Sequence, residues 1–407
     1  MVPTMADGRK RSAAKQARRD ARRRKAQRRG LGETETPEEA PLIDEVREAL
    51  DGGQPLDLLG LVSMVIAATT PQPVLVRQPG EEATATLDDL VAAFIDVRVP
   101  ETTALLAILG EFVVAEDALR DRCRREVESR NDDLPHWLAA LSETAVTRAV
   151  CMTHVLGDGD ELLLGVRLAD GQEITCAAHL DHLSASEVKD AFFVPEALDK
   201  VLDVAKASNT DPDTSFVDLE LADARHRLVT ALDQPVALFP AESDTWPSSR
   251  AMVQWLTRLM PAGRPNVEVL QRDWARDSSA VEPFFTSPLG EPFDDLDHRA
   301  LLAACLEDGT GDPLRWSAAR LTQLLDGAFV DGRVVPVEVQ LDAPELLRAF
   351  IPFAHAASGV RQAWTVEALA AIDEAADDYR AEVLEEVRHS DHLGDEDSDD
   401  DSDDETV

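Results

Sequence analysis

The chain is poor in aromatic residues. Phe, Trp and Tyr make up 5% of its 407 residues, and Tyr379 is the single tyrosine. Its core is therefore expected to be aliphatic, built from Leu, Val and Ala, a composition that favours packed helices. Cysteine is scarce as well. Four thiols (Cys123, Cys151, Cys176 and Cys305) in so long a chain give no disulfide framework and fit a reducing, cytoplasmic setting. Long hydrophobic runs are missing. The most apolar stretch, residues 56–68, includes Asp57 and falls short of the roughly 20 residues a bilayer span needs, so it reads as a buried core helix. The start of the chain is basic, as in a secretory signal, but no apolar segment follows it. No membrane association is expected. Phosphate-cradling glycine loops, Gly-x-Gly-x-x-Gly after a strand and Gly-x-Ser-x-Gly are all lacking, so no cofactor is implied.

What is present in excess is charge, and it is unevenly spread. The formal net charge is -39, from 79 acids and 40 bases. Residues 9–29 nevertheless hold twelve Lys or Arg and one acid, Asp20, while ten acids and no Lys or Arg follow from Asp391 onward. Between these ends lie 28 bases and 67 acids, with lysine reduced to Lys189, Lys200 and Lys206. Such a body should stay soluble and repel phosphate backbones and anionic membranes. Its acidity reads as compositional background rather than as a functional signal.

The pattern along the chain predicts an α+β fold, mostly α. Residues 1–40 form a basic arm with nothing apolar to bury, expected to be disordered when free. Residues 41–143 read as a helical domain. Leu42, Ile43, Val46 and Leu50 share a face; Thr86 and Asp89 form a capping-box variant; Leu105, Leu106, Ile108, Leu109, Phe112 and Val113 mark a longer helix. Residues 116–130 continue as a charged, solvated face. Residues 144–240 read as an α+β centre. Here 145–155, 161–168 and 172–180 are β-type runs parted by Gly-Asp turns, a three-strand antiparallel meander, and a helix follows from Pro195 to about residue 207. A further helix is expected at 217–232, and residues 241–388 read as mostly helical, with helices at 248–260, 298–305, 317–329 and 365–387 and one more strand at 334–341. Residues 389–407 are an acidic tail, expected to be disordered and able to compete for the arm.

Four groups of residues carry candidate chemistry. Cys151-x-x-His154 with Cys176-x-x-His179 and His182 has the composition of a zinc site. On strands, however, positions i and i+3 face opposite ways, so buried thiols and edge histidines are expected instead. Asp181, His182, Glu187 and Lys189 form the densest polar patch. Carboxylates that hold a divalent cation, with a lysine steadying the attacking water, would suit a metal-dependent hydrolase of nuclease type. Asn209, Asp211, Asp213 and Ser215 alternate as calcium-loop oxygens do, with Glu220 at the twelfth position, but Thr214 stands where that loop needs glycine. The fourth group is the arm. Arg18, Arg19, Arg22, Arg23, Arg24, Lys25, Arg28 and Arg29 would cover two or more faces of a helix and bind RNA or DNA phosphates by counterion release.

Two stretches also resemble an uncharacterised protein family of actinobacteria. One is Ala178-His-Leu-Asp-His-Leu183 with Val188-Lys-Asp-Ala-Phe-Phe-Val194. The other is Asp312-Pro-Leu-Arg-Trp-Ser317, Leu324-Leu-Asp326 and Ala343-Pro-Glu-Leu-Leu-Arg-Ala-Phe-Ile-Pro-Phe353. The resemblance covers roughly residues 50–388, implies a shared fold and carries no activity. The expected function is that of a cytoplasmic interaction protein, not an enzyme, whose arm contacts nucleic acid or a ribonucleoprotein. The alternative is the hydrolase, which requires Asp181, His182, Glu187 and Lys189 to converge in one cleft.

Overall fold

The computed structural model describes residues 40–70, 85–114, 116–184, 186–234, 245–262, 280–307, 309–326 and 335–396. The basic arm, and the acidic tail from residue 397 on, lie outside the described residues, and so do the expectations placed on them; residues 389–396, expected as the start of a disordered tail, instead continue a helix. The chain divides into two compact units, Met1–Glu48 and Ala49–Val407. Of the first, the described part is the beginning of helix α1 (Ala40–Gly52), on which Val46 is buried. Everything below concerns the second.

That unit opens with helices α2 (Pro55–Thr69), α3 (Leu87–Asp96), α4 (Pro100–Phe112) and α5 (Asp117–Ser129). Prolines at the first turns of α2 and α4 start those helices where the missing N–H costs nothing. Thr86 caps α3 as its sequence predicts. Its hydroxyl accepts from Asp89 N at 3.2 Å, and its own N–H donates to Asp89 Oδ2 at 3.1 Å. The central helix is α4 rather than α2: Leu105, Leu106, Ile108 and Leu109 are fully buried, whereas Met64 on α2 is half exposed. Apolar composition marks α2 as a core helix, and Leu58, Leu59 and Val62 on it are buried. Position makes α4 the central one, because it is packed by α2, α3 and α5 together. On α5, Leu119 and Cys123 turn inward, and of the charged run expected to be solvated, Arg120, Glu126 and Arg130 are instead largely buried.

The middle of the unit is an antiparallel sheet of five strands in the order β4-β3-β2-β1-β5. Its first three strands, β1 (Ala145–His154), β2 (Gly159–Arg167) and β3 (Glu173–Asp181), are the predicted meander. Two more were not foreseen. The segment between the meander and the helix expected from Pro195 is β4 (Glu187–Val194), in which Val188 and Ala191 are buried on the sheet. Helix α6 (Leu198–Ser208) leads to β5 (Thr214–Leu219), whose end had been read as helix. Pairing with β1 sets Phe216 opposite Met152 and Val217 opposite Cys151. That tertiary partner overrides a local helical pattern. Helix α6 covers one sheet face, where Val150, Leu163 and Ala177 meet Leu198 and Leu202. Helix α7 (Leu221–Leu232) packs on β1 and β4, and helix α8 (Trp246–Leu259) on β4 and α2.

The C-terminal part is helical: α9 (Leu296–Glu307), α10 (Ala318–Leu324), α11 (Ala343–Ser358) and α12 (Gln362–Glu396). The strand expected at 334–341 is instead a helical turn, Val337–Gln340, entered through Pro336 and closed by Gln340 Nε2 donating to Val335 O at 2.8 Å. The core here is mainly aliphatic, as the composition predicts, with several of the chain's few aromatics gathered within it. Its scarce aromatics are concentrated, with Phe284 ring centroids 5.1 Å from both Phe285 and Phe350, and Trp316 6.2 Å from Phe350.

Candidate functional site

Antiparallel pairing sets the site's position. The β1–β2 turn, the β3–β4 turn and the loop entering β5 all leave the sheet at one end, because His154 pairs with Thr214, Gly159 with Asp181 and Asp181 with Glu187. The C-terminal helices meet the sheet at this same end. Gln323 Nε2 donates to Leu183 O at 3.1 Å, and Arg361 and Trp364, at the start of α12, reach Asp213. Polar residues remote in sequence are thereby gathered in three clusters.

The first lies on the face that carries α7. Asp160 is buried, with Arg227 NH1 at 3.0 Å and His182 Nε2 at 3.2 Å from its Oδ2. Burial opposes its ionisation, yet its contacts with His182 and Thr153 and the Arg227 charge hold its carboxyl well below the usual carboxylate range. His182 Nδ1 lies 2.9 Å from Ser186 Oγ. Cys151, 3.6 Å from Arg227 NH1, is pushed up to about 12 by burial and the nearby Asp160, so it stays a thiol. Cys176 shares this face; it too is buried, and its thiol is pushed higher still.

The second cluster lies on the opposite face. Asp181 Oδ2 accepts from Lys189 Nζ at 2.6 Å, and Asp181 Oδ1 accepts from Leu183 N at 3.0 Å. Glu187 pairs with Asp181 across the strands; burial and the Asp181 charge raise its carboxyl. His179 sits 3.4 Å from Glu161 Oε2, which raises its imidazole against the opposing effect of burial. Gly159 makes room for that ring, since a Cβ there would stand 2.8 Å from Leu180 O and 3.0 Å from His179 Cε1. Of the four predicted patch residues, Asp181, Glu187 and Lys189 are thus brought together, while His182 turns to Asp160 on the other face.

The third cluster joins sheet to helix. His154, Asp211 and Asp213 hold three donor atoms within 4.8 Å of one another, as a metal centre would. Their lone pairs are largely engaged within the protein. His154 Nδ1 accepts from Leu156 N at 3.2 Å, so its proton sits on Nε2, which faces Asp211 Oδ2 at 3.1 Å, and no ring nitrogen keeps a free lone pair. Asp213 accepts from Arg361 Nε at 2.6 Å and Trp364 Nε1 at 2.5 Å, and those bonds lower its pKa. In the loop with calcium-type spacing, Asn209 Oδ1 and Asp211 Oδ1 turn back onto the N–H groups of Asp211 and Asp213. The Cys/His spacing also separates, with Cys151 and Cys176 on the α7 face and His154 and His179 on the other.

Sequence reasoning did not reach Asp160, Ser186, Arg227, Arg361 or Trp364. Asp160 was hidden in a turn motif, and the others lie far from it in the chain. No protein-family model, curated protein or solved structure matches this chain.

Proposed function

We propose that this is an interaction protein whose basic N-terminal arm contacts RNA or DNA phosphates, alone or within a ribonucleoprotein. The observation that carries the reading is the placing of twelve of its 40 Lys and Arg within residues 9–29, beside a single acid. The folded part supports it by contrast. At the sheet end, Lys189, Arg227 and Arg361 each sit on a carboxylate, and the surrounding body is acidic. With no aromatics between its cations, the arm would bind phosphates without reading bases.

Fluorescence anisotropy with labelled single-stranded RNA and duplex DNA tests this. The full chain should bind both, with affinity falling steeply between about 50 and 200 mM salt, at a slope of roughly -5 to -6 for eight contacts on a single strand. A chain starting at residue 31 should not bind. Salt-independent binding, or affinity kept after that truncation, would place the contact elsewhere.

A further inference from the structure

The β3–β4 turn sets a hydroxyl, an imidazole and a carboxylate in series. Ser186 Oγ is 2.9 Å from His182 Nδ1, and His182 Nε2 is 3.2 Å from Asp160 Oδ2. The Asp160 carboxylate 3.2 Å away favours the ring proton on Nε2, although that N–H is not aligned for a hydrogen bond, and Nδ1 keeps its lone pair for the serine proton. Asp160 is fixed from behind by Arg227, its side chain 3% exposed. Ser186 is partly exposed and so open to a substrate. It also has φ 59°, the one positive φ outside glycine among the described residues. An L residue holds that conformation only where its surroundings impose it, as they do for nucleophiles on tight turns. Nucleophile, base and orienting acid, each within reach of the next, are what acyl transfer requires. The two ring nitrogens exchange their more familiar partners, which leaves the roles unchanged.

We propose that Ser186 and His182 are the catalytic residues of an esterase site, with Asp160 as their positioning residue. Ser186 Oγ bonds to the ester carbonyl carbon as its proton passes to His182 Nδ1. The tetrahedral adduct collapses, the bond to the alcohol oxygen breaks, and that oxygen takes the proton from His182. Water then adds to the acyl carbon, giving its proton to His182; the bond to Ser186 Oγ breaks and the serine is reprotonated, releasing the acid. Asp181 and Glu187 flank the turn, so neutral or cationic esters are favoured over anionic ones. This site owes nothing to the basic arm.

The test uses the full chain, a fluorophosphonate probe and p-nitrophenyl butyrate. Intact-mass and peptide analysis should find one phosphonyl group, on Ser186, with fluoride lost. Ser186→Ala and Ser186→Gly should both abolish labelling and lower ester hydrolysis by about 100-fold or more. The glycine variant suits the positive φ, so it removes the hydroxyl without straining the turn. Asp160→Asn should shift the midpoint of the pH profile of labelling; an unchanged profile would remove Asp160 from the site. An unlabelled wild type, labelling at another residue, or hydrolysis that survives in Ser186→Gly would overturn the proposal.

Discussion

Arg130 shows how much one side chain does in the helical part of this protein. Its guanidinium, with the side chain 2% exposed, bonds Glu126 at 2.9 Å, the hydroxyls of Thr102 and Thr103 at 2.9 and 3.0 Å, and the carbonyls of Phe94 and Ile95 at 2.9 and 3.1 Å. It ties the end of α3 and the start of α4 to the end of α5. Arg130→Ala leaves two carbonyls without their donor and Glu126 with Arg98 as its remaining cation, and should cost about 3–5 kcal/mol in urea unfolding. Arg130→Lys should recover less than half of that, because one ammonium cannot span the same acceptors. No periodicity singles out Arg130 among the arginines around it, since its partners come from three segments. Gly159 is a second such residue. Gly159→Ala drives a methyl into Leu180 O and the His179 ring and should destabilise by about 1–3 kcal/mol, read in the same assay.

Among elements, the junction of α11 with the segment before α10 carries the clearest pH dependence. His355 is buried, with Nε2 3.0 Å from Trp316 O and Nδ1 3.0 Å from Thr365 Oγ1, and burial lowers its pKa from the ordinary imidazole value. The unfolded chain therefore binds this proton more readily than the native one. The contribution of His355 is complete above its unfolded value of about 6.5 and is lost as pH falls through the folded value. Thermal melts should show a lower Tm at pH 5.5 than at pH 7.5, and His355→Gln should lessen that difference. Around it, the run Asp312 to Ser317 acquires a physical meaning. Asp312 accepts from Leu314 N and Arg315 N, Ser317 caps α10 through Arg320 N, and Arg320 stacks 3.7 Å over the Trp316 ring. What stands out in the sequence as a motif is here a folding device.

For the whole molecule, the dominant fact is its excess of acid. The folded part works against its own repulsion, and added salt screens that repulsion within about a Debye length. Raising NaCl from about 0.02 to 0.5 M should raise Tm by a few degrees, even though it weakens individual ion pairs, because like charges outnumber the matched ones. A fall in Tm would mean that specific pairs such as Arg348–Asp373 outweigh the net charge. The same salt series lowers any affinity of the basic arm for nucleic acid, so stability and binding should respond in opposite directions. Among the described residues no helix is long and apolar enough to cross a membrane.

The sequence by itself determined what local rules govern. The capping box at Thr86, the proline-led starts of α2 and α4, the meander of β1 to β3 and the helical C-terminal part follow from spacing, capping and turn chemistry, which act over a few residues. Tertiary structure decided the rest. β5 is a strand because β1 offers it an edge, α4 is central because three helices close on it, and sparse aromatics share a core because they are gathered in space. The candidate sites divide in the same way. Asp181, Glu187 and Lys189 could be read from their closeness along the chain, whereas Ser186, His182 and Asp160 meet because two turns leave one end of the sheet, and no linear pattern records that meeting.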